Sequence, residues 1–121
     1  KNNGNIKEAK VLVMGATFKE NVSDIRNSKV ADVVKELKSF SLNVEVTDPQ
    51  ASSDELMHEY GFGLVKETGK DYDAVIVTVP HNEYKNLDDT YFSSVTKPHA
   101  IIADLKGTYR GKIKNRVYWS L

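Results

Sequence analysis

One stretch of this chain, KVLVMG (10–15), is apolar on too many consecutive residues to lie half in water, while YDAVIVTVP (72–80) is the chain's strongest strand signal and HAIIADL (99–105) reads as a fifth strand. A strand with one wet face alternates apolar and polar side chains. An unbroken aliphatic run reads instead as a strand covered on both faces, the habit of parallel sheets. The intervening segments carry a different period. Val30, Val33, Val34, Leu37 and Phe40 or Leu42 recur at helical spacing, with Lys35, Glu36 and Lys38 on the other side. Ser28 is the expected N-cap of that helix. NVEVTDP (43–49) reads as a second strand stopped by Asp48-Pro49, and SSDELMHEYG (52–61) as a short helix opened by Ser52 or Ser53 and closed by Gly61. FGLV (62–65) reads as a short third strand, NEYKNL and DDTYFSSV as helical turns, and RVYW (116–119) as a sixth strand at an edge. Strands alternating with helices predict a doubly wound, Rossmann-like α/β fold. Its sheet is mostly parallel, of five to six strands, with helices on both faces and right-handed crossovers.

A chain of 121 residues is about one domain. Seventeen basic side chains balance seventeen acidic ones, so no global field recruits nucleic acid or an anionic membrane, and an anion site has to be local. The run AVIVTVP is too short to span a bilayer. Cysteine is absent, which excludes a disulfide framework, a thiolate metal site and a thiolate nucleophile within these residues. The polar head, residues 1–9, reads as a linker or tail left from a truncated upstream region, with the domain proper at 10–121. A cytoplasmic location fits these features.

The connection GATFKENVSDIRNS (15–28) is about twice the usual length of a strand-to-helix loop. It is also chemically dense, with apolar Phe18 and Val22, cations Lys19 and Arg26, and acids and amides to fix them. In a strand order 3-2-1-4-5-6, this loop, the turn Pro80-His81-Asn82-Glu83 and the segment Asp104-Leu105-Lys106 share the sheet edge where such folds bind ligands. Lys19 offers a point charge to a phosphate and Arg26 a bidentate fork, next to the N-terminus of a helix. The competing reading pairs Lys19 with Glu20 and Arg26 with Asp24 as solvated surface pairs, and spacing leaves both open. A dinucleotide-binding turn needs G-x-G-x-x-G, whereas only Gly15 is present, with Thr17 and Glu20 in the other glycine positions. A phosphate-accepting receiver domain needs paired acids after the first strand, which Met14-Gly15-Ala16-Thr17 does not supply. His58, His81 and His99 show no metal-ligand spacing, and His81 reads more readily as a turn residue than as a catalytic one. No Ser/His/Asp arrangement stands out.

The stretch Gly15 to Ser28 closely resembles the G-x-x-F-K-x-N-x-x-D-x-R-x-S signature that opens the C-terminal domain of the UDP-glucose/GDP-mannose dehydrogenase family. The likeness continues through VADVVKELKSFSLNVEVTDP, YDAVIVTVPHNEY and IIADLKG, and covers nearly the whole chain. Its wording is most like the branch acting on UDP-N-acetylglucosamine or UDP-N-acetylgalactosamine. The resemblance implies an NAD-dependent UDP-sugar 6-dehydrogenase of polysaccharide biosynthesis, oxidising the C6 hydroxyl to a carboxylate. In that family a separate N-terminal Rossmann domain binds NAD, a cysteine forms the covalent intermediates, and the full-length protein is a homodimer. The C-terminal domain holds the nucleotide of the UDP-sugar and closes the cleft. Carried over by motif, Phe18, Lys19 and Lys106 bind substrate, Arg26 reaches the NAD pyrophosphate, and Asn21 and Asp24 brace the loop. No catalytic residue falls in the present chain, so the isolated domain is expected to be inactive. The alternative is a free-standing nucleotide-binding regulatory module without catalysis.

Overall fold

In the computed structural model, the described residues are 9–19, 21–26, 28–40 and 42–120. The expected linker therefore lies almost wholly outside the described residues, as does Glu20, the alternative partner of Lys19. The elements follow as β1 (Lys10–Met14), α1 (Val30–Ser39), β2 (Asn43–Thr47), α2 (Ser53–Tyr60), β3 (Tyr72–Val77), a single 3₁₀ turn (Asn82–Tyr84), α3 (Asp89–Val95), β4 (Thr96–Asp104) and β5 (Val117–Ser120). The sheet runs β2-β1-β3-β4-β5 with every neighbouring pair parallel. β1 lies between β2 and β3, with Leu12 opposite Glu45 of β2 and Val75 of β3.

β1 is covered on both faces, as its unbroken aliphatic run requires, whereas Ile101 of β4 is half exposed. On one face Val11, Val13 and Val46 pack beneath Val30 and Val34 of α1 and Leu56 of α2. On the other, Leu12, Met14, Val75, Val77 and Ile102 pack against Phe92 and Val95 of α3. The connection from β4 to β5 has no helix. Tyr109 and Ile113 bury themselves in that place, and Tyr109 stacks edge-on to Phe92 at 4.9 Å.

Three local readings differ from the sequence expectation. FGLV is not a strand: the Leu64 amide donates to Ser53 Oγ at 2.8 Å, and only Val65 N–H reaches the β2 carbonyl of Val46, at 2.9 Å. Phe62 is buried among the α2-side core, so the segment follows the third-strand track without a ladder. The expected order 3-2-1-4-5-6 therefore loses its third strand, and the other five keep the expected sequence of neighbours. Phe40 is 59% exposed because α1 ends at Ser39, and Leu42 takes the apolar contact instead. Ser28 lies one residue ahead of the N-cap, Lys29, yet its buried hydroxyl accepts from Val30 N–H at 3.3 Å and donates to the Ala16 carbonyl at 2.9 Å. The α2 boundaries match, with the Ser52 hydroxyl accepting from Glu55 N–H and Gly61 at φ 82°. No helix among the described residues is long and apolar enough to cross a membrane.

Candidate functional site at the carboxyl edge of the sheet

The reversal of strand order falls between β1 and β3, and there the chain is drawn tight. Gly15 sits at φ 108°, and a Cβ built on it would lie 2.6 Å from Val79 Cβ and 2.7 Å from Val79 N. The buried Thr78 hydroxyl lies 2.9 Å from the Met14 carbonyl and 2.7 Å from that of Gly15, binding the two strand ends together. In a dinucleotide-binding turn the first glycine permits the tight turn and the second the close approach of a pyrophosphate. Here only the first is present, and Val79 packs against it.

The long loop is folded on itself. Phe18 N–H donates to the Asp24 carbonyl at 2.7 Å, the Thr17 hydroxyl to the Lys19 carbonyl at 2.8 Å, and Tyr60 OH to the Ile25 carbonyl at 2.7 Å. Asn21 adopts φ 63°, and its side-chain oxygen accepts from Asn82 N–H at 2.8 Å. Asp48 secures the loop's base: its carboxylate accepts from the amides of Ala16 (2.6 Å), Gln50 (2.7 Å) and Ala51 (2.9 Å). Burial alone raises the pKa of Asp48, but hydrogen bonds from His81 and these amides outweigh it and hold the carboxyl below its ordinary range. The residue read as a strand stop is thus also the loop's anchor.

Braced in this way, the loop presents Phe18 outward at 55% exposure. Phe18, Lys29 and Lys106 line one groove of about 380 Å³, floored by Val30, Val33, Val79 and Leu105. The turn bearing Lys106 is held by the fully buried Asp104, which accepts from Thr108 N–H, Tyr109 N–H and Tyr118 OH at 3.1, 2.7 and 2.6 Å. An aromatic face and two cations around an apolar floor suit a base and its phosphates.

Of the residues singled out from sequence, Phe18 and Lys106 meet in this groove, whereas Lys19 is exposed on the same loop but is not among the groove's lining residues. Arg26 lines a second groove of about 680 Å³ together with Phe18, Ser28, Lys29 and Tyr60, with the acids Asp32 and Glu59 also on its wall. Its Nε and Nη2 engage both oxygens of Asp24 at 3.1 and 3.0 Å, the pairing that the surface-pair reading anticipated. Those hydrogen bonds lower the Asp24 pKa and raise that of Arg26, whose side chain remains 83% exposed. Asn21 and Asp24 brace the loop, as expected. Lys29 was missed by sequence reasoning. Its only signal was its place immediately after Ser28, where the helix begins. A further groove between residues 23–26 and α2 is rimmed by Asp54, Glu55 and Glu59, which repel phosphate.

His58 lies exposed on α2, and His99 sits at the amino end of the sheet, 3.5 Å from Asp73. Trp119 is half exposed on β5, whereas Tyr118 packs against the core.

Residues 12–111 match the family model described as UDP-glucose/GDP-mannose dehydrogenase family, UDP binding domain. The chain is 42% identical over 99 residues to the UDP-N-acetyl-D-glucosamine 6-dehydrogenase of Pseudomonas aeruginosa, covering 81% of this chain and 24% of that protein. It is 40% identical over 103 residues to the enzyme of the same name from Salmonella typhi, covering 84% and 24%. Among solved structures, the UDP-N-acetyl-mannosamine dehydrogenase of Staphylococcus aureus superposes with a TM-score of 0.74 at 28% identity, over 93% of this chain and 26% of that one. The chain therefore spans about a quarter of the length of the proteins it matches.

Proposed function

Because the chain belongs to the UDP-glucose/GDP-mannose dehydrogenase family, as its UDP binding domain, we propose that it is the nucleotide-holding, C-terminal part of an NAD-dependent UDP-sugar 6-dehydrogenase. The observation that carries the reading is the groove that joins Phe18, Lys29 and Lys106 at the switch point of the sheet. In this reading Phe18 packs on the nucleotide, while Lys106 and Lys29 neutralise the diphosphate and Lys19 meets it from the loop's outer side. Charge-assisted contacts of this kind are the strong ones in a partly apolar site.

NAD belongs mainly to the N-terminal domain of the larger protein, since the first turn here has only Gly15 of the three glycines that a dinucleotide-binding turn needs. Arg26 lines a different groove from Lys106, and we assign it to the NAD pyrophosphate across the domain boundary. Asp24 holds one edge of its fork and leaves Nη1 outside that pair. The covalent chemistry falls to a cysteine outside these residues, as this chain has none. The identities of 40–42% to UDP-N-acetyl-D-glucosamine dehydrogenases favour an N-acetylated UDP-sugar as substrate. A cytoplasmic homodimer completes the proposal, with residues 10–121 as the domain unit. The free-standing regulatory module is not favoured, because the matched proteins are four times longer and are named as dehydrogenases.

The test is an NMR titration of the 121-residue chain with UDP. Binding is expected to be weak, because half a cleft leaves much of the ligand solvated, with the largest amide shifts at Phe18, Lys19, Lys29 and Lys106. Lys106→Ala should weaken binding about tenfold or more. Shifts centred on the acidic groove at Asp54, Glu55 and His58 would refute the assignment.

A further inference from the structure

One buried titratable side chain is left unused by this reading. His81 is fully buried, and both its ring nitrogens are spent on other elements. Nε2 lies 2.9 Å from Asp48 Oδ2, at the end of β2, and 3.2 Å from Thr17 Oγ1, where the chain leaves β1. Nδ1 lies 2.8 Å from the backbone nitrogen of Asn21, across the loop. An amide is only a donor, so Nδ1 carries a lone pair, and the single ring proton sits on Nε2, facing the carboxylate. The imidazole is neutral, and its tautomer is dictated by the loop.

We infer that His81 is a positioning residue for the nucleotide groove: its Nδ1, by accepting the Asn21 amide, and its Nε2, beside Thr17, fix the loop on either side of Phe18 and Lys19 and so present them. The inference rests on the reading of that groove as the UDP site. Two observations make the contact more than core packing. Asn21 is held at φ 63°, a conformation that costs a non-glycine residue free energy and needs support. Its support comes from consecutive residues of one turn, with His81 accepting its amide and the Asn82 amide donating to its side chain. The ring also touches Thr17, whose hydroxyl closes the turn onto the Lys19 carbonyl, so one imidazole meets both ends of the segment bearing Phe18 and Lys19. The titratable groups packed on the ring are Asp48 and Tyr84, the latter 5.8 Å away between ring centres and donating its hydroxyl to the Thr47 carbonyl.

The experiment compares the ¹⁵N-labelled 121-residue chain with its His81→Asn and His81→Leu variants, using UDP as the probe. Asn and Leu have the same branched shape and both lose the bond to Asp48, but only Asn keeps an acceptor where Nδ1 stood. The UDP dissociation constant should rise about tenfold in His81→Leu and stay within about threefold of wild type in His81→Asn. The amides of residues 17–19 and 21 should move in His81→Leu and stay near their wild-type positions in His81→Asn. Wild-type affinity in His81→Leu, or loop amides indifferent to the ring, would overturn the inference. If UDP binds none of the three proteins, the UDP reading fails and the amides alone decide. Displacement in His81→Leu but not in His81→Asn supports the latch, and equal displacement in both or neither refutes it. Should His81→Leu not fold, the ring nitrogens of the wild-type chain decide in its place: a long-range ¹H–¹⁵N spectrum should show the ring proton on Nε2, and a proton on Nδ1 refutes the latch.

Discussion

At the scale of single residues, the same backbone conformation carries different consequences according to its surroundings. Gly15 and Gly61 both have positive φ, but a Cβ on Gly61 meets nothing within 4 Å, whereas on Gly15 it meets Val79 backbone and Cβ at under 3 Å. Gly61→Ala should therefore cost only about 1 kcal/mol, the strain of the left-handed region. Gly15→Ala adds a clash that only a shift of β1 against β3 relieves, and should cost roughly 2–4 kcal/mol. Urea unfolding of the two variants measures the difference, and equal losses would show that crowding at the switch point is unimportant. The cations are separated by the same kind of reasoning. Lys19 and Arg26 stand seven positions apart on the loop, with Phe18 shared between the groove of Lys106 and that of Arg26. In the full-length enzyme, Lys19→Ala should raise the KM for the UDP-sugar about ten- to a hundredfold and Arg26→Ala the KM for NAD, each with little effect on the other ligand. Arg26→Lys should rescue only in part, because an ammonium cannot grip Asp24 and a phosphate with one planar fork. If both alanine variants keep both KM values and lose only thermal stability, Lys19 and Arg26 are surface-pair residues alone.

At the scale of elements, the end of β2 matters more than its length suggests. Asp48 ties β2 to the residue after Gly15, to the start of the α2 connection and, through His81, to the turn after β3. Its pKa is held below the ordinary carboxylate value in the folded state. The stability it contributes is therefore complete above the unfolded-state pKa of about 4 and is lost as pH falls through the lower folded value. Asp24, Asp73 and Asp89 are lowered as well and act in the same window. Asp48→Asn should remove part of the wild-type loss of stability below about pH 4, measured as unfolding midpoint against pH, while lowering stability near neutrality. An unchanged acid limb would mean that Asp48 is not the anchor described.

At the scale of the whole molecule, the proposed function makes the chain one wall of a cleft. It contains no cysteine, and its first turn lacks two of the three glycines of a dinucleotide-binding turn. Purified alone, it should produce no NADH from NAD and any UDP-sugar, followed as absorbance at saturating substrate. Sustained NADH formation that co-purifies with the chain would overturn the division of labour proposed between its domains.

The parallel sheet, the helices and the loop destined for the ligand edge were all legible in the sequence. Aliphatic continuity, helical period and an over-long connection are local properties that need no partner to be read. The α2 caps at Ser52 and Gly61 were legible for the same reason. What tertiary structure alone decided were choices between competing partners. The Leu64 amide pairs with Ser53 rather than with β2, which removes a strand that FGLV was otherwise able to form. Arg26 takes Asp24, and Lys29 joins Phe18 and Lys106 through a crossing of the sheet edge that no spacing along the chain reveals. His81 lies 60 residues from Asn21, 64 from Thr17 and 33 from Asp48, yet all three meet on its ring. Distance along the chain hides such a contact, because only the stacking of parallel strands brings the loops at their carboxyl ends together.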